Sequence, residues 1–275
     1  VDTDGGMLGS VMRPLLALAG SKVARAYVPY PAGFGGAVEG GKEPYAASVT
    51  TAMDRLSSMI TQIADKCEDT DFAFAGYSQG GGAAASAAEL AETYAPELDV
   101  RATYAGAPPA DLEKVIPAID GTTIAGAIGF AVNGLTERYP NVAEVVRRET
   151  NPTGKAALKQ ISTSCIGDII PAFGFRRVET WTRTGETLSS LIARSPGLQE
   201  VVRQQRIGRL KPNAPVFVEG GLHDDAIPYG QVAQLDRDWR AQGADVQMIS
   251  NTIPPIFPGL VVNHALPMVA TLLPA

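Results

Sequence analysis

The chain of 275 residues is poor in three things: it has two histidines, two cysteines, and fewer basic than acidic residues, 23 Lys and Arg against 29 Asp and Glu. Each scarcity excludes something. The longest basic stretch, residues 201–211, is short and carries no interleaved aromatics, so no nucleic-acid partner is expected. No apolar run reaches the roughly 18 residues that a bilayer-spanning helix takes. The Gly-rich apolar stretch 121–135 stops early and contains Asn133, so no integral membrane segment is expected. The start has no basic segment followed by an apolar one, so any signal peptide is expected to have been removed already. Cys67 and Cys165 permit one disulfide without requiring it. With two histidines, any chemistry that needs an imidazole base falls to His223 or His264.

Against these absences stands one dense stretch, DFAFAGYSQGGGAAA at residues 71–85. Four alternating residues, 72–75, predict a strand that runs straight into Gly76-Tyr77-Ser78-Gln79-Gly80, and small helix-compatible residues follow. This is G-x-S-x-G in the strand, turn, helix setting that gives the motif its meaning. Glycine two residues before and two after the serine is predicted to let strand and helix backbones pass closely. Ser78 is predicted to sit strained at the turn with its hydroxyl exposed at the helix N-terminus, as a nucleophile.

Taken in order, the chain reads as helix 7–19, strand 23–30, helix 48–64, the elbow strand, helix 82–94 and strand 100–105. Strands that alternate with helices predict an α/β fold with a parallel sheet. Residues 110–211 then show helical pieces at 112–119, 123–136, 142–148, 153–161, 187–193 and 198–207 but no strand. Strand 214–219, helix 229–242, strand 245–250, a Pro-rich loop 252–263 and helix 265–273 complete the chain. The expected organisation is a core of residues 1–109 and 212–275 interrupted by a helical cap, 110–211.

A serine nucleophile needs a base, and the base needs a carboxylate. His264, in the loop after the last strand, fits the base, and the order serine, acid, histidine is kept. For the acid, Asp224 and Asp225 both follow strand 214–219, while Asp168 competes from the SCIGD segment. The oxyanion is expected to meet the N–H of Gln79, the residue after the serine, and a second donor from loop 1–6, with Thr3 as the contributor. Nothing in this set implies a metal or an organic cofactor.

Two resemblances follow from these residues. VPYPAGF, PYAASV, Cys67 and GYSQGG resemble the cutinase family, and DTDGGMLGSVMRPL is similar to that family's oxyanion loop and first helix, which is what singles out Thr3. Cys165 to Asp168 matches the first half of the cutinase acid loop, but no second cysteine follows. Without the cutinase partners, a Cys67–Cys165 bridge requires the base of the cap to lie near the strand entry. From Ala83 onward the chain resembles the secretory lipase family in AETYAPELDV, AGAPPADLEKV, TERYP, SCIGD and PVFVEGGLHDDAIPYGQVAQLDRDWRAQGADVQ. That resemblance implies an α/β-hydrolase fold, Asp224 as acid, His264 as base and the helical block as a lid. It further implies a secreted or cell-envelope serine hydrolase that cleaves acyl esters and contacts a lipid interface. Ile124, Ile128, Phe130 and Val132 are expected along the acyl site. The rival readings are an acyltransferase with the same triad and a non-catalytic cell-envelope or binding protein on the same fold. The oligomeric state is left open.

Overall fold

Strands β1 (Asp71–Tyr77), β2 (Asp99–Gly106), β3 (Val216–Gly221) and β4 (Val246–Asn251) lie side by side in chain order, and every neighbouring pair is parallel. The coordinates are a computed structural model that describes residues 54–55, 58–63, 65–66, 71–164, 166–255 and 263–264. The predicted strands 72–75, 100–105, 214–219 and 245–250 all fall on these four. Helix 7–19, strand 23–30, Thr3, Cys67, Cys165 and residues 265–273 lie outside the described residues, whereas the described parts of 54–66 are helical, as 48–64 predicted.

Parallel strands need crossovers, and two of them are the helices α1 (Gln79–Tyr94) and α9 (Tyr229–Ala241). Both cover one face of the sheet. Along β3 the side chains alternate as a pleated strand requires: Val216 and Val218 are buried while Phe217 is 37% exposed. Val232, Leu235 and Trp239 of α9 are buried in the same core. A single carboxylate ties this layer together. Glu89 Oε1 on α1 accepts from Trp239 Nε1 at 2.7 Å and from Gly208 N at 2.5 Å.

Between β2 and β3 the described chain forms no strand of the sheet. It runs through α2 (Leu112–Ile119), α3 (Ala127–Arg138), α4 (Pro140–Glu149), α5 (Pro152–Ile161), α6 (Ile166–Phe173), a 3₁₀ turn Val178–Trp181, α7 (Leu188–Arg194) and α8 (Pro196–Gln204). One isolated antiparallel bridge, Thr150 to Thr182, joins two of its segments. Helices start where the local chemistry starts them. Asp111, Asn151 and Thr187 accept from the amides of Glu113, Gly154 and Ser190, and prolines occupy the first helical positions of α4, α5 and α8. Helix α6 departs from expectation, because Gly167 and Pro171 argue against a helix there. Its buried residues Ile169 and Phe173 pack against Gly126 and win over propensity.

The parallel order has one functional consequence. The carboxyl ends of all four strands point to one edge, so the segments after Tyr77, Gly106, Gly221 and Asn251 emerge together.

Candidate active site

Ser78 stands between β1 and α1 with φ 57° and ψ −121°, a conformation that a residue with a Cβ adopts only under constraint. The constraints are visible. The Ser78 N–H donates to Gly106 O at 2.8 Å, holding the turn against the end of β2, and Ser78 O accepts from Gly82 N at 2.9 Å inside α1. A serine at a helix N-cap ordinarily spends its hydroxyl on an amide of the first turn. Ser78 makes no such capping bond, so the strained turn does not spend the hydroxyl on the helix.

The glycines divide their work differently from the prediction. A Cβ on Gly76 would stand 1.9 Å from Gly80 O, so Gly76 is required by the elbow itself. A Cβ on Gly80 would meet nothing within 4 Å. The close approach of helix to sheet is instead made by Gly81, where a Cβ would come 2.1 Å from Gly106 O. The expectation for Gly80 is therefore corrected: its carbonyl, not its missing side chain, fills the space beside Gly76.

The acid loop follows β3. Asp224 is the half of the Asp224-Asp225 pair that turns inward, and its side chain is 0% exposed. Its Oδ1 accepts from the amides of Ala226 at 2.9 Å and Ile227 at 2.8 Å, and its Oδ2 lies 2.8 Å from His264 Nδ1. Two backbone donors fix the carboxylate, so that its second oxygen has one direction left, toward the imidazole. His264 is nearly buried, at 13% side-chain exposure. Asn263 and His264 are helical.

The other candidates fall elsewhere. Asp225 Oδ2 accepts from Asn263 Nδ2 at 3.1 Å, so the second aspartate holds the residue beside the histidine. Asp168 lies in the first turn of α6, and the Nδ1 of His264 is engaged by Asp224. His223 is exposed in the loop between the strand and Asp224. Gln79 opens α1, where backbone N–H groups point out of the first turn. Of the four apolar residues expected along an acyl site, Ile128 is a core residue at 1% exposure, and Ile124, Phe130 and Val132 pack against the core.

Tyr77 is a contributor that the sequence reading passed over. Its hydroxyl donates to His264 O at 2.6 Å, and its ring centroid is 5.5 Å from that of the imidazole. A second unforeseen feature lies below the acid loop. Glu219, fully buried in β3, accepts from Tyr104 Oη of β2 at 2.5 Å. Burial pushes the Glu219 carboxyl above its ordinary range, with the bonds from Tyr104 and Asn251 pulling the other way. Burial also raises Tyr104, and the neighbouring carboxylate adds to it.

The helical block contains an apolar cavity of about 70 Å³, bounded by Ile116, Leu135, Val142, Trp181, Leu191 and Val202 among others. Of the four expected acyl-site residues it includes Val132, and none of Ser78, Asp224 and His264 lines it.

Comparison with known proteins follows the same lines. A family model described as secretory lipase matches residues 38–271. A probable inactive lipase of Mycobacterium tuberculosis is 30% identical over 171 residues, covering 62% of this chain and 38% of that protein. A secreted triacylglycerol lipase of Malassezia restricta is 28% identical over 221 residues, covering 78% of this chain and 45% of that one. The chain thus spans less than half the length of these curated relatives. Among solved structures, Candida antarctica lipase A superposes with a TM-score of 0.64 at 22% identity, covering 76% of this chain and 48% of that one. A rice cell wall degrading esterase from Xanthomonas oryzae gives 0.65 at 16% identity, covering 82% of this chain and 62% of that one. These two likenesses show an α/β-hydrolase fold.

Proposed function

Because the chain belongs to the secretory lipase family, we propose that it is a secreted serine hydrolase of acyl esters, with Ser78 as nucleophile, His264 as base and Asp224 as the acid that orients it. The observation that carries this reading is the buried Asp224 carboxylate, held by two amides and directed at His264 Nδ1. That contact keeps the Nδ1 proton in place and leaves Nε2 as the basic nitrogen. In the reaction, Ser78 Oγ attacks the ester carbonyl carbon as its proton passes to His264 Nε2. The tetrahedral oxyanion takes the Gln79 N–H and a second donor from loop 1–6, with Thr3 as its expected source. Collapse breaks the ester C–O bond, the alcohol leaves with the proton held by His264, and water repeats the sequence to release the acid. Residues 110–211 act as the cap over a core of 1–109 and 212–275.

The acyl-lipid assignment has support in the names of the Malassezia relatives, which are secreted triacylglycerol lipases. It also has support in an exposed corner of the helical block. Phe175 adopts φ 61° and is 64% exposed, beside Ile170 at 41% and the exposed Arg176 and Arg177. A bulky residue in left-handed backbone costs about 1–2 kcal/mol, and an exposed ring adds an unfavourable hydration term. Contact with a lipid interface would offset both.

The test is hydrolysis of a p-nitrophenyl ester panel of increasing acyl length, with and without an emulsified interface, together with fluorophosphonate labelling. Labelling at Ser78, with activity abolished in Ser78→Ala, is the expected result. Phe175→Asp is expected to lower emulsion activity and spare soluble esters. A glycerol acceptor in the same assay separates transfer from hydrolysis. The relative named as an inactive lipase favours the second reading, a non-catalytic protein on this fold. Wild-type protein that takes no label and cleaves no ester would establish that reading instead.

A further inference from the structure

The residue before the candidate nucleophile touches the residue read as the base. Tyr77 is the last residue of β1, Ser78 follows it, and Tyr77 Oη donates to the main-chain oxygen of His264 at 2.6 Å, across 187 residues of sequence. The same ring lies beside Gly106, where a Cβ would come 2.4 Å from Tyr77 Cδ2, and Gly106 O receives the Ser78 N–H. One aromatic side chain therefore meets both the peptide that anchors the elbow and the peptide that carries the imidazole. On the far side, Asp225 Oδ2 holds Asn263 Nδ2, and Asp224 Oδ2 faces His264 Nδ1. The imidazole ring has its carboxylate, and the Tyr77 hydroxyl joins the histidine's main chain to β1.

We propose that Tyr77 is a positioning residue for His264, setting the distance between the base and Ser78 by clamping the histidine's main chain to the elbow strand. This rests on the reading of Ser78 and His264 as nucleophile and base. The reasoning is geometric. A proton can be transferred only when the base lies within hydrogen-bond reach of the hydroxyl, and a displacement of about 1 Å costs about 10²-fold in rate. Strand β1 carries the serine, and the histidine reaches it from beyond β4, three strands away in the sheet order. Small shifts between the sheet and the histidine segment would fall directly on that distance unless the two are joined. The Tyr77 hydroxyl joins them without touching the reacting atoms, and Tyr77→Phe removes the join while the ring still fills its place against Gly106.

The experiment compares wild type, Tyr77→Phe and Tyr139→Phe. Tyr139 pairs with Gln205 Nε2 at 2.8 Å inside the helical block, so its loss measures what a lost tyrosyl hydrogen bond does to stability alone. Tyr77→Phe is expected to lower kcat on a soluble ester by about 10- to 100-fold, leave KM within about twofold, and slow fluorophosphonate labelling of Ser78 by the same factor as kcat. Tyr139→Phe is expected to lower the melting temperature without changing kcat. A Tyr77→Phe enzyme that keeps its kcat and labelling rate overturns the proposal, as does a loss of kcat that Tyr139→Phe shares.

A second readout needs no activity, which separates failure here from failure of the hydrolase reading. With two histidines in the chain, the imidazole NMR signals of wild type and Tyr77→Phe are assignable. The His264 ring signals, the Nδ1–H resonance among them, are expected to shift while those of His223 stay put; unmoved His264 signals sink the proposal even in a protein that cleaves nothing. Should the phenylalanine variant fail to fold, a polyfluorinated tyrosine at position 77 retains the ring. Its hydroxyl ionises well below that of tyrosine, and a phenolate has no proton to donate to His264 O. The kcat profile should then gain an alkaline fall that wild type lacks, and an unchanged profile overturns the idea.

Discussion

Asp224 divides its two carboxylate oxygens between two jobs: Oδ1 receives the amides of Ala226 and Ile227, and Oδ2 faces His264 Nδ1 at 2.8 Å. The partition makes the adjacent aspartate unable to substitute for it. Asp225 is turned toward Asn263, and moving it onto the imidazole would require the loop to abandon both amide bonds.

Asp224→Asn should therefore be far more damaging than its size suggests. The amide oxygen can still serve Ala226 and Ile227, but the NH₂ then faces Nδ1 and forces the imidazole into the tautomer with its proton on Nε2. A loss in kcat of about 10⁴-fold is expected, the magnitude seen when the buried aspartate of a serine protease triad is so changed. Asp225→Asn and Asp168→Asn should lose about tenfold or less. Steady-state kinetics on a soluble ester ranks the three, and a larger loss at Asp168 would transfer the acid to the helical block.

The elbow glycines should respond unequally. Gly81→Ala places a methyl 2.1 Å from Gly106 O, which must displace the end of β2 and with it the acceptor of the Ser78 N–H. A cost of about 3 kcal/mol or more, with loss of activity, is expected. Gly80→Ala meets open space within a helix and should be neutral or stabilising by up to about 1 kcal/mol. Urea unfolding midpoints for the pair decide the matter.

Glu219 should make stability fall as pH rises. Its folded-state pKa lies above the ordinary 4.5, so between that value and the folded pKa the native protein holds more protons than the unfolded chain. Stability is then lost with increasing pH through this window. Glu219→Gln removes the titration, so its urea midpoint, measured from about pH 4.5 upward, should decline less steeply than that of wild type. Parallel curves would mean that Glu219 ionises in the folded state as it does in water.

Glu89 should matter as an acceptor more than as a charge. Glu89→Ala leaves the indole N–H of the fully buried Trp239 and the Gly208 amide without this oxygen, at about 1–3 kcal/mol for each group left unsatisfied. Glu89→Gln keeps an oxygen there and should stay close to wild type in thermal melts. An equal drop for both variants would point to the charge.

The features that were legible in the sequence share one property: their signals are local. The elbow is contiguous, the four strands have short apolar runs, and Asp224 and His264 each follow a recognisable strand end. What escaped was non-local or ran against propensity. Nothing in GYSQG says that the Tyr77 hydroxyl finds a carbonyl beyond β4, because 187 residues separate the partners. APVFVE reads as a strand whether its glutamate is solvated or buried, and only the approach of Tyr104 from the neighbouring strand shows which. Helix α6 contains Gly167 and Pro171 and forms because Ile169 and Phe173 find a place to pack. The motif glycine was assigned one position too early because the spacing of G-x-S-x-G does not reveal which backbone the helix meets.

The chain order of the sheet has a kinetic meaning. Strands β1 and β2 are joined through residues 78–98, but β2 and β3 are joined only through residues 107–215. Closing the longer connection costs about 1.5 kcal/mol more in chain entropy, if the intervening segment is treated as flexible. For a connection closed in this way, the β2–β3 seam is the late contact in folding. Ser78 lies on one side of that seam, with Asp224 and His264 on the other. A refolding chain would acquire the β1–β2 pair before Ser78 and His264 could meet, so the return of fluorophosphonate labelling would time the closing of the sheet.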